Sequence, residues 1–134
     1  MKEKTKKRFA VSALVLSAML MLPAGAFAAS SNSTSGTAGD VNTHGSLSIY
    51  SDYASGSTSA SDRAYCKVDV VYTYSWGLVG SVYTKEASDT AAYSTSAWAS
   101  ANSDWVNPKS LRANAAHLVG YGSNSWTGST YVTY

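Results

Sequence analysis

The side chains that could act as a nucleophile, a base or a metal ligand are few in this chain. Its 134 residues contain one cysteine, Cys66, and two histidines, His44 and His117. Cys66 and His117 could together form a nucleophile–base pair. A zinc site needs three or four ligands, and the sequence has no HExxH, CxxC, Walker A or GxSxG motif. We therefore expect no enzyme activity, no metal site and no cofactor.

Aromatic side chains are the feature best able to carry a binding function. The chain has 10 Tyr and 4 Trp, residues that combine apolar surface with a hydrogen-bonding edge suited to sugars, lipid headgroups and membrane interfaces. The alternative is that most of them fill the core, because only 14 Leu, Ile and Val residues follow Ala28. The candidate target-binding residues are Tyr50, Tyr53, Trp98, Trp105, Trp126, Tyr131 and Tyr134.

The clearest alternating pattern spans residues 64–76 and predicts the strand that positions Cys66. One face of this strand carries Ala64, Cys66, Val68, Val70, Tyr72, Tyr74 and Trp76. Because Cys66 lies on the apolar face, we expect a buried thiol, with a disulfide to a second chain as the alternative. His117 lies among Ala and Val residues in another alternating segment, so we expect a hydrogen-bonded structural histidine rather than a base.

Further alternating segments predict a fold made of strands. They comprise residues 45–52, 78–85, 91–99, 111–121 and 126–134. Because residues 91–99 are rich in Ala, a helix is the alternative for this segment. Clusters of Gly, Pro, Ser or charged residues predict the breaks between strands. These breaks fall at residues 54–57, 85–89, 107–109 and 120–124. The pattern predicts an all-β fold, a small antiparallel β-sandwich of about six strands.

The first 28 residues have the order of a secretory signal peptide. A cationic start precedes an apolar run, residues 9–22, and Ala26-Phe27-Ala28 supplies the small residues of a cleavage site. A membrane anchor is the alternative, but this run is shorter than the ~20 residues that span a bilayer. We therefore expect residues 1–28 to be removed and the protein to be secreted and extracellular.

The net charge gives no indication of a nucleic-acid partner. The chain has 10 basic and 8 acidic residues, and five of the basic residues and one acidic residue lie within positions 1–28. The remaining chain carries 5 basic and 7 acidic side chains, a net charge of −2. We therefore expect no nucleic-acid binding.

The segment after the leader is rich in Ser, Thr and Gly and has no apolar anchor. We expect residues 29–43 to form a flexible tail and residues 44–134 to form the β-sandwich domain.

Two short motifs resemble the lactococcin 972-like bacteriocin family. The segment His44-Gly45 followed by Tyr50-Ser51-Asp52-Tyr53 and Gly56-Ser57 is similar to the family's HG…YSxYxxGS pattern. The end of the chain, with Ser129-Thr130-Tyr131 and a terminal Tyr134, resembles the family's ending. The resemblance covers about half of the chain after the leader. This chain has extra sequence between about Gly77 and Pro108.

The resemblance implies a fold, a function and partners. The family has a secretory leader and a β-sandwich of two three-stranded antiparallel sheets. It implies a secreted antibacterial protein that acts without catalysis on the envelope of competing Gram-positive bacteria by binding a lipid-linked cell-wall precursor. It also implies immunity and ABC transporter proteins in the producer. The aromatic composition alone leaves a different class open, a secreted carbohydrate-binding or adhesive β-module with exposed Trp and Tyr.

Overall fold

The computed structural model describes residues 30–134, which form six antiparallel strands. They are β1 (Ser30–Ala38), β2 (Val41–Ile49), β3 (Tyr53–Trp76), β4 (Ser81–Asn102), β5 (Lys109–Tyr121) and β6 (Asn124–Thr133). The all-β prediction and its count of six strands are confirmed. Between residues 30 and 134 there is no helix with the length and hydropathy to cross a bilayer. The predicted signal peptide, residues 1–28, lies outside the described residues.

The six strands form one hydrogen-bonded sheet that folds over into two layers. The first half of β3 pairs with β2 and the second half pairs with β5, while β4 runs along the opposite side of both halves. The β3–β4 ladder is irregular between Ser59 and Cys66, where β3 passes from one layer to the other. One layer therefore has the order β1-β2-β3-β4, and the other has the order β6-β5-β3-β4.

The core lies between the two layers and follows the predicted alternation. Ala64, Cys66, Val68, Val70, Tyr72 and Tyr74 are buried, together with Leu47 and Ile49 of β2 and Val119 of β5. Glycines on one layer make room for large side chains of the other. A Cβ atom placed on Gly45 would lie 2.5 Å from His117 Cγ, and a Cβ atom on Gly36 would overlap the Trp126 indole. Close packing thus depends on small residues facing large ones.

The two ends of the sandwich differ in chemistry. The β1–β2 turn at Gly39-Asp40 lies beside Asn124, close to the β5–β6 turn. The opposite end carries three loops, residues 50–52, 77–80 and 103–108, which we call the aromatic end. Hydrogen bonds join these loops: the Ser103 amide donates to the Asp52 carbonyl at 2.9 Å, and Trp76 Nε1 donates to the Val106 carbonyl at 3.0 Å.

Several segments differ from the sequence expectation. Residues 30–43, expected to be a flexible tail, form β1 and the start of β2, because β1 pairs with β2 along its full length and packs against Trp126 through Gly36. Residues 54–57 lie inside β3 and pair on both sides, so they are not a loop. Residues 85–89 lie inside β4, which merges the two strands expected at 78–85 and 91–99.

Candidate functional site

The aromatic end presents a stack of two exposed tryptophans. The Trp76 and Trp105 rings lie 4.3 Å apart at an interplanar angle of 16°, and Tyr83 lies 6.1 Å from Trp105 at 51°. Trp76 ends β3 and Tyr83 lies on the paired strand β4, while Trp105 comes from the β4–β5 loop. Trp76 is 37% and Trp105 is 41% exposed. The stack therefore offers a partly solvent-exposed aromatic surface to a ligand.

The loop that carries Trp105 is held in place by polar contacts on both of its sides. Lys85 Nζ and Asp104 Oδ2 lie 2.6 Å apart, and this hydrogen bond raises the pKa of Lys85. The Asp104 amide donates to the Tyr74 hydroxyl at 3.3 Å, and Ser103 Oγ donates to the Trp105 carbonyl at 2.9 Å. These contacts fix the position of the Trp105 indole against Trp76.

A cleft of about 420 Å³ opens beside Trp105. Its lining comprises Ser51, Asp52, Asn102, Ser103, Trp105, Val106, Asn107 and Pro108. Two of these residues belong to the Tyr50-Ser51-Asp52-Tyr53 motif, whose loop packs against β5 through a hydrogen bond from Ser110 Oγ to the Tyr50 carbonyl. Hydroxyl, amide and carboxylate groups beside an indole suit a ligand with hydroxyl and amide groups, as in a saccharide or a short peptide.

A second cleft, of about 570 Å³, runs along the free edge of β4. Tyr53, Ser88, Asp89, Trp98 and Asn102 contribute to its lining. The Trp98 amide donates to Asp89 Oδ2 at 2.9 Å, which connects the two halves of β4 across the layers. Trp98 is 55% exposed, so its ring is available to a ligand in this side cleft.

The structure distributes the seven predicted aromatic residues over several places. Trp105 lies at the aromatic end, whereas Tyr53 and Trp98 line the side cleft. Tyr50 is buried and stacks on Tyr53 at 4.2 Å, and Trp126 is half-buried with its ring 6.4 Å from His117. Tyr131 on β6 and Tyr134 at the chain end are exposed and line neither cleft, although the Tyr134 amide donates to the Leu111 carbonyl at 3.0 Å near the aromatic end.

Trp76 and Tyr83 are the site residues that the sequence prediction missed. Trp76 was expected on the core face because it continues the alternation of residues 64–76, but β3 ends there and leaves the ring half in solvent. The following Gly77-Leu78-Val79-Gly80 segment signalled this end, because two glycines that close together indicate a turn.

Cys66 and His117 do not form a nucleophile–base pair in this structure. His117 Nδ1 and Nε2 each lie 2.9 Å from a threonine hydroxyl, Thr58 and Thr130 respectively. Because the Thr58 hydroxyl donates to the Lys67 carbonyl, it accepts from Nδ1–H, and Nε2 accepts from Thr130. The Cys66 thiol is buried, its Sγ is 3.6 Å from the Ser94 carbonyl, and burial raises its pKa.

Neither His44 nor His117 belongs to a cluster of metal-ligating side chains within residues 30–134. Burial is the main cause that lowers the pKa of His117 to about 4, and the charge of His44 adds to it. His44 itself lies on β2 with Nδ1 2.9 Å from Ser35 Oγ. Within residues 30–134, no group of three or more His, Cys, Asp or Glu side chains is close enough to hold a metal ion.

No family model matches the sequence, and no curated protein or solved structure matches the chain.

Proposed function

We propose that this chain is a secreted antibacterial protein of the lactococcin 972-like type, which acts without catalysis on the envelope of competing Gram-positive bacteria. One observation carries the proposal. The loop formed by the Tyr50–Tyr53 motif lines the cleft that contains the exposed Trp105 ring. A motif that resembles the family and an accessible aromatic surface thus meet at one end of the molecule.

The chemistry of this cleft favours the saccharide and peptide parts of a cell-wall precursor. Asn102, Ser103 and Asn107 offer amide and hydroxyl groups, and Trp105 offers a ring face for a sugar or an acyl chain. The Asp52 carboxylate in the lining disfavours contact with the phosphates of a lipid-linked precursor. In this proposal, an immunity protein and an ABC transporter protect the producer from its own product.

Growth inhibition tests the proposal. Protein purified from a culture supernatant is applied to a panel of Gram-positive strains, beside the Trp105→Ala and Tyr131→Ala variants. We expect inhibition of at least one strain, with an inhibitory concentration about ten-fold or more higher for W105A, because a central Trp often dominates binding. Tyr131 is 53% exposed and lines neither cleft, so Y131A should act as the wild type does. A wild-type protein that inhibits no strain would overturn the proposal.

The side cleft supports a second candidate function, that of a carbohydrate-binding module. Trp98 and Tyr53 lie in one cleft with the polar side chains of Ser88, Asp89 and Asn102, the combination that sugar sites use. Binding to a glycan array that is lost in Trp98→Ala and kept in Trp105→Ala would favour this function. Array binding unaffected by Trp98→Ala would count against it.

A further inference from the structure

The turn between β3 and β4 exposes two aliphatic side chains. The Gly80 amide donates to the Gly77 carbonyl at 3.1 Å, which places Leu78 and Val79 at the centre of the turn. Leu78 is 108% and Val79 is 90% exposed. Central turn positions usually carry Gly, Asn, Asp, Ser or Pro, so an aliphatic pair there is unusual.

The two hairpin turns of two residues show the usual chemistry and serve as internal comparisons. Gly39-Asp40 joins β1 to β2, and Gly122-Ser123 joins β5 to β6. In these two turns the positive-φ glycine is one of the two turn residues, whereas in the β3–β4 turn Gly77 and Gly80 flank the central pair. Leu78 and Val79 do not have positive φ angles, so their backbone does not require aliphatic side chains at these positions.

The surroundings of the turn are ordered from apolar to charged with distance from the tip. No Asp, Glu, Lys, Arg or His occurs in residues 75–84. Behind the two tip residues lies Trp76, which pairs with Ser81 and stacks on Trp105, and then Val82, which pairs with Ser75 and is 62% exposed. The first charged group is the exposed Lys109, which pairs with Ser75, and the ion pair of Lys85 and Asp104, at 2.6 Å, lies further back.

We propose that this turn inserts into a lipid bilayer, with Leu78 and Val79 in the acyl region and the two indoles at the level of the headgroups. Trp is the residue that most favours this interfacial level, and it has an apolar tip ahead of it and charges behind it. The choice of the bacterial envelope as the membrane rests on the proposed function, whereas the insertion itself follows from the turn.

The shape of the tip favours lipid over a second protein surface. A stable protein interface buries about 800 Å² on each partner and requires a complementary surface. Two side chains on a projecting turn offer far less area, and a bilayer needs no shape complementarity. Because residues 75–84 carry no charge, we expect binding to neutral as well as anionic lipids and little effect of salt.

Vesicle binding tests this inference. Wild-type protein is titrated with phosphatidylcholine vesicles, with and without phosphatidylglycerol, and the Trp emission and the sedimented fraction are measured. We expect a blue shift and co-sedimentation with both compositions. In the double variant Leu78→Ser/Val79→Ser the partition coefficient should fall about ten-fold or more, because burying one aliphatic side chain alone contributes that factor. The control Tyr93→Ser removes a side chain that is 72% exposed on β4, away from the tip, and should bind as the wild type does.

The outcomes separate this inference from the proposed function. Wild-type protein that leaves vesicles unbound, or an L78S/V79S protein that binds like the wild type, would overturn the insertion. The wild-type protein could instead self-associate without binding vesicles, and the double variant could abolish this self-association. That result would assign the tip to a contact with a second copy of the chain and would also overturn the insertion. Vesicle binding without growth inhibition would support the insertion and contradict the antibacterial function. Growth inhibition by a wild-type protein that does not bind vesicles would support the antibacterial function and contradict the insertion.

Discussion

Acid should destabilise the sandwich through His117, one of its most buried polar side chains. His117 is 2% exposed, and both ring nitrogens are bonded to threonines. Its pKa is lowered from the ordinary 6.5 to about 4 in the folded chain. Between these two values the unfolded chain binds a proton that the folded chain does not bind. The contribution of His117 to the stability of the fold is therefore fully present above pH 6.5 and is lost as the pH falls toward 4.

The size of this effect follows from the two pKa values. Each unit of difference corresponds to about 1.4 kcal/mol, so the lowering to about 4 gives a loss of roughly 3 kcal/mol. For a domain of this size, the melting temperature should fall by on the order of 10 °C. The pKa of Asp69 is also lowered, by hydrogen bonds from Ser88 and Lys67, but its contribution is lost only below its ordinary value of 3.8.

Urea unfolding followed by Trp and Tyr fluorescence at pH 7 and at pH 4.5 measures the effect. In His117→Gln, which cannot take up a proton, the difference between the two pH values should largely disappear. His44→Gln is the matched control, because His44 is the chain's other histidine and contributes only the smaller cause of the lowered pKa. An equal loss of stability in the wild type and in H117Q would refute this account of His117.

Three further predictions concern packing, thiol chemistry and the side cleft. Gly45→Ala should lower the free energy of unfolding, measured by urea titration, by about 1–3 kcal/mol, because its Cβ would lie 2.5 Å from His117. Gly120→Ala, whose Cβ would lie 3.6 Å from its nearest neighbour, should lower it less. Equal losses in the two variants would contradict this packing. Cys66 should react with a thiol reagent only after unfolding, because the thiol is buried and its pKa is raised. A dimer that a reductant converts to monomers would contradict this prediction. Trp98→Ala should leave the melting temperature nearly unchanged, because the ring is 55% exposed, and a large drop would place the ring in the core.

The sequence predicted the fold best where the alternation was continuous. Residues 64–76 alternate without interruption, and the buried face of β3 agrees with them up to Tyr74. β1 escaped prediction because its positions facing the other layer hold small residues such as Gly36. The space above Gly36 is filled by Trp126. A contact between residues so distant in the chain leaves no local periodicity.

The aromatic end was predicted only in part, for a similar reason. Trp105 is one of the predicted target-binding residues, and it lies at the site. The alternation of residues 64–76 places its partner Trp76 on the apolar face, although the glycines at 77 and 80 indicate that the strand ends there. The alternation of residues 78–85 predicts a strand that begins at Leu78 and Val79. In the folded hairpin these two residues lie at the exposed tip.

The central claim, recognition of an envelope component at the aromatic end, can be tested by one binding measurement. The affinity of the protein is compared for vesicles with and without a lipid-linked cell-wall precursor, for the wild type, Trp105→Ala and Tyr131→Ala. We predict tighter binding when the precursor is present, a gain that W105A loses by about ten-fold or more and Y131A keeps. Equal affinity of the wild type for the two kinds of vesicle would contradict the claim.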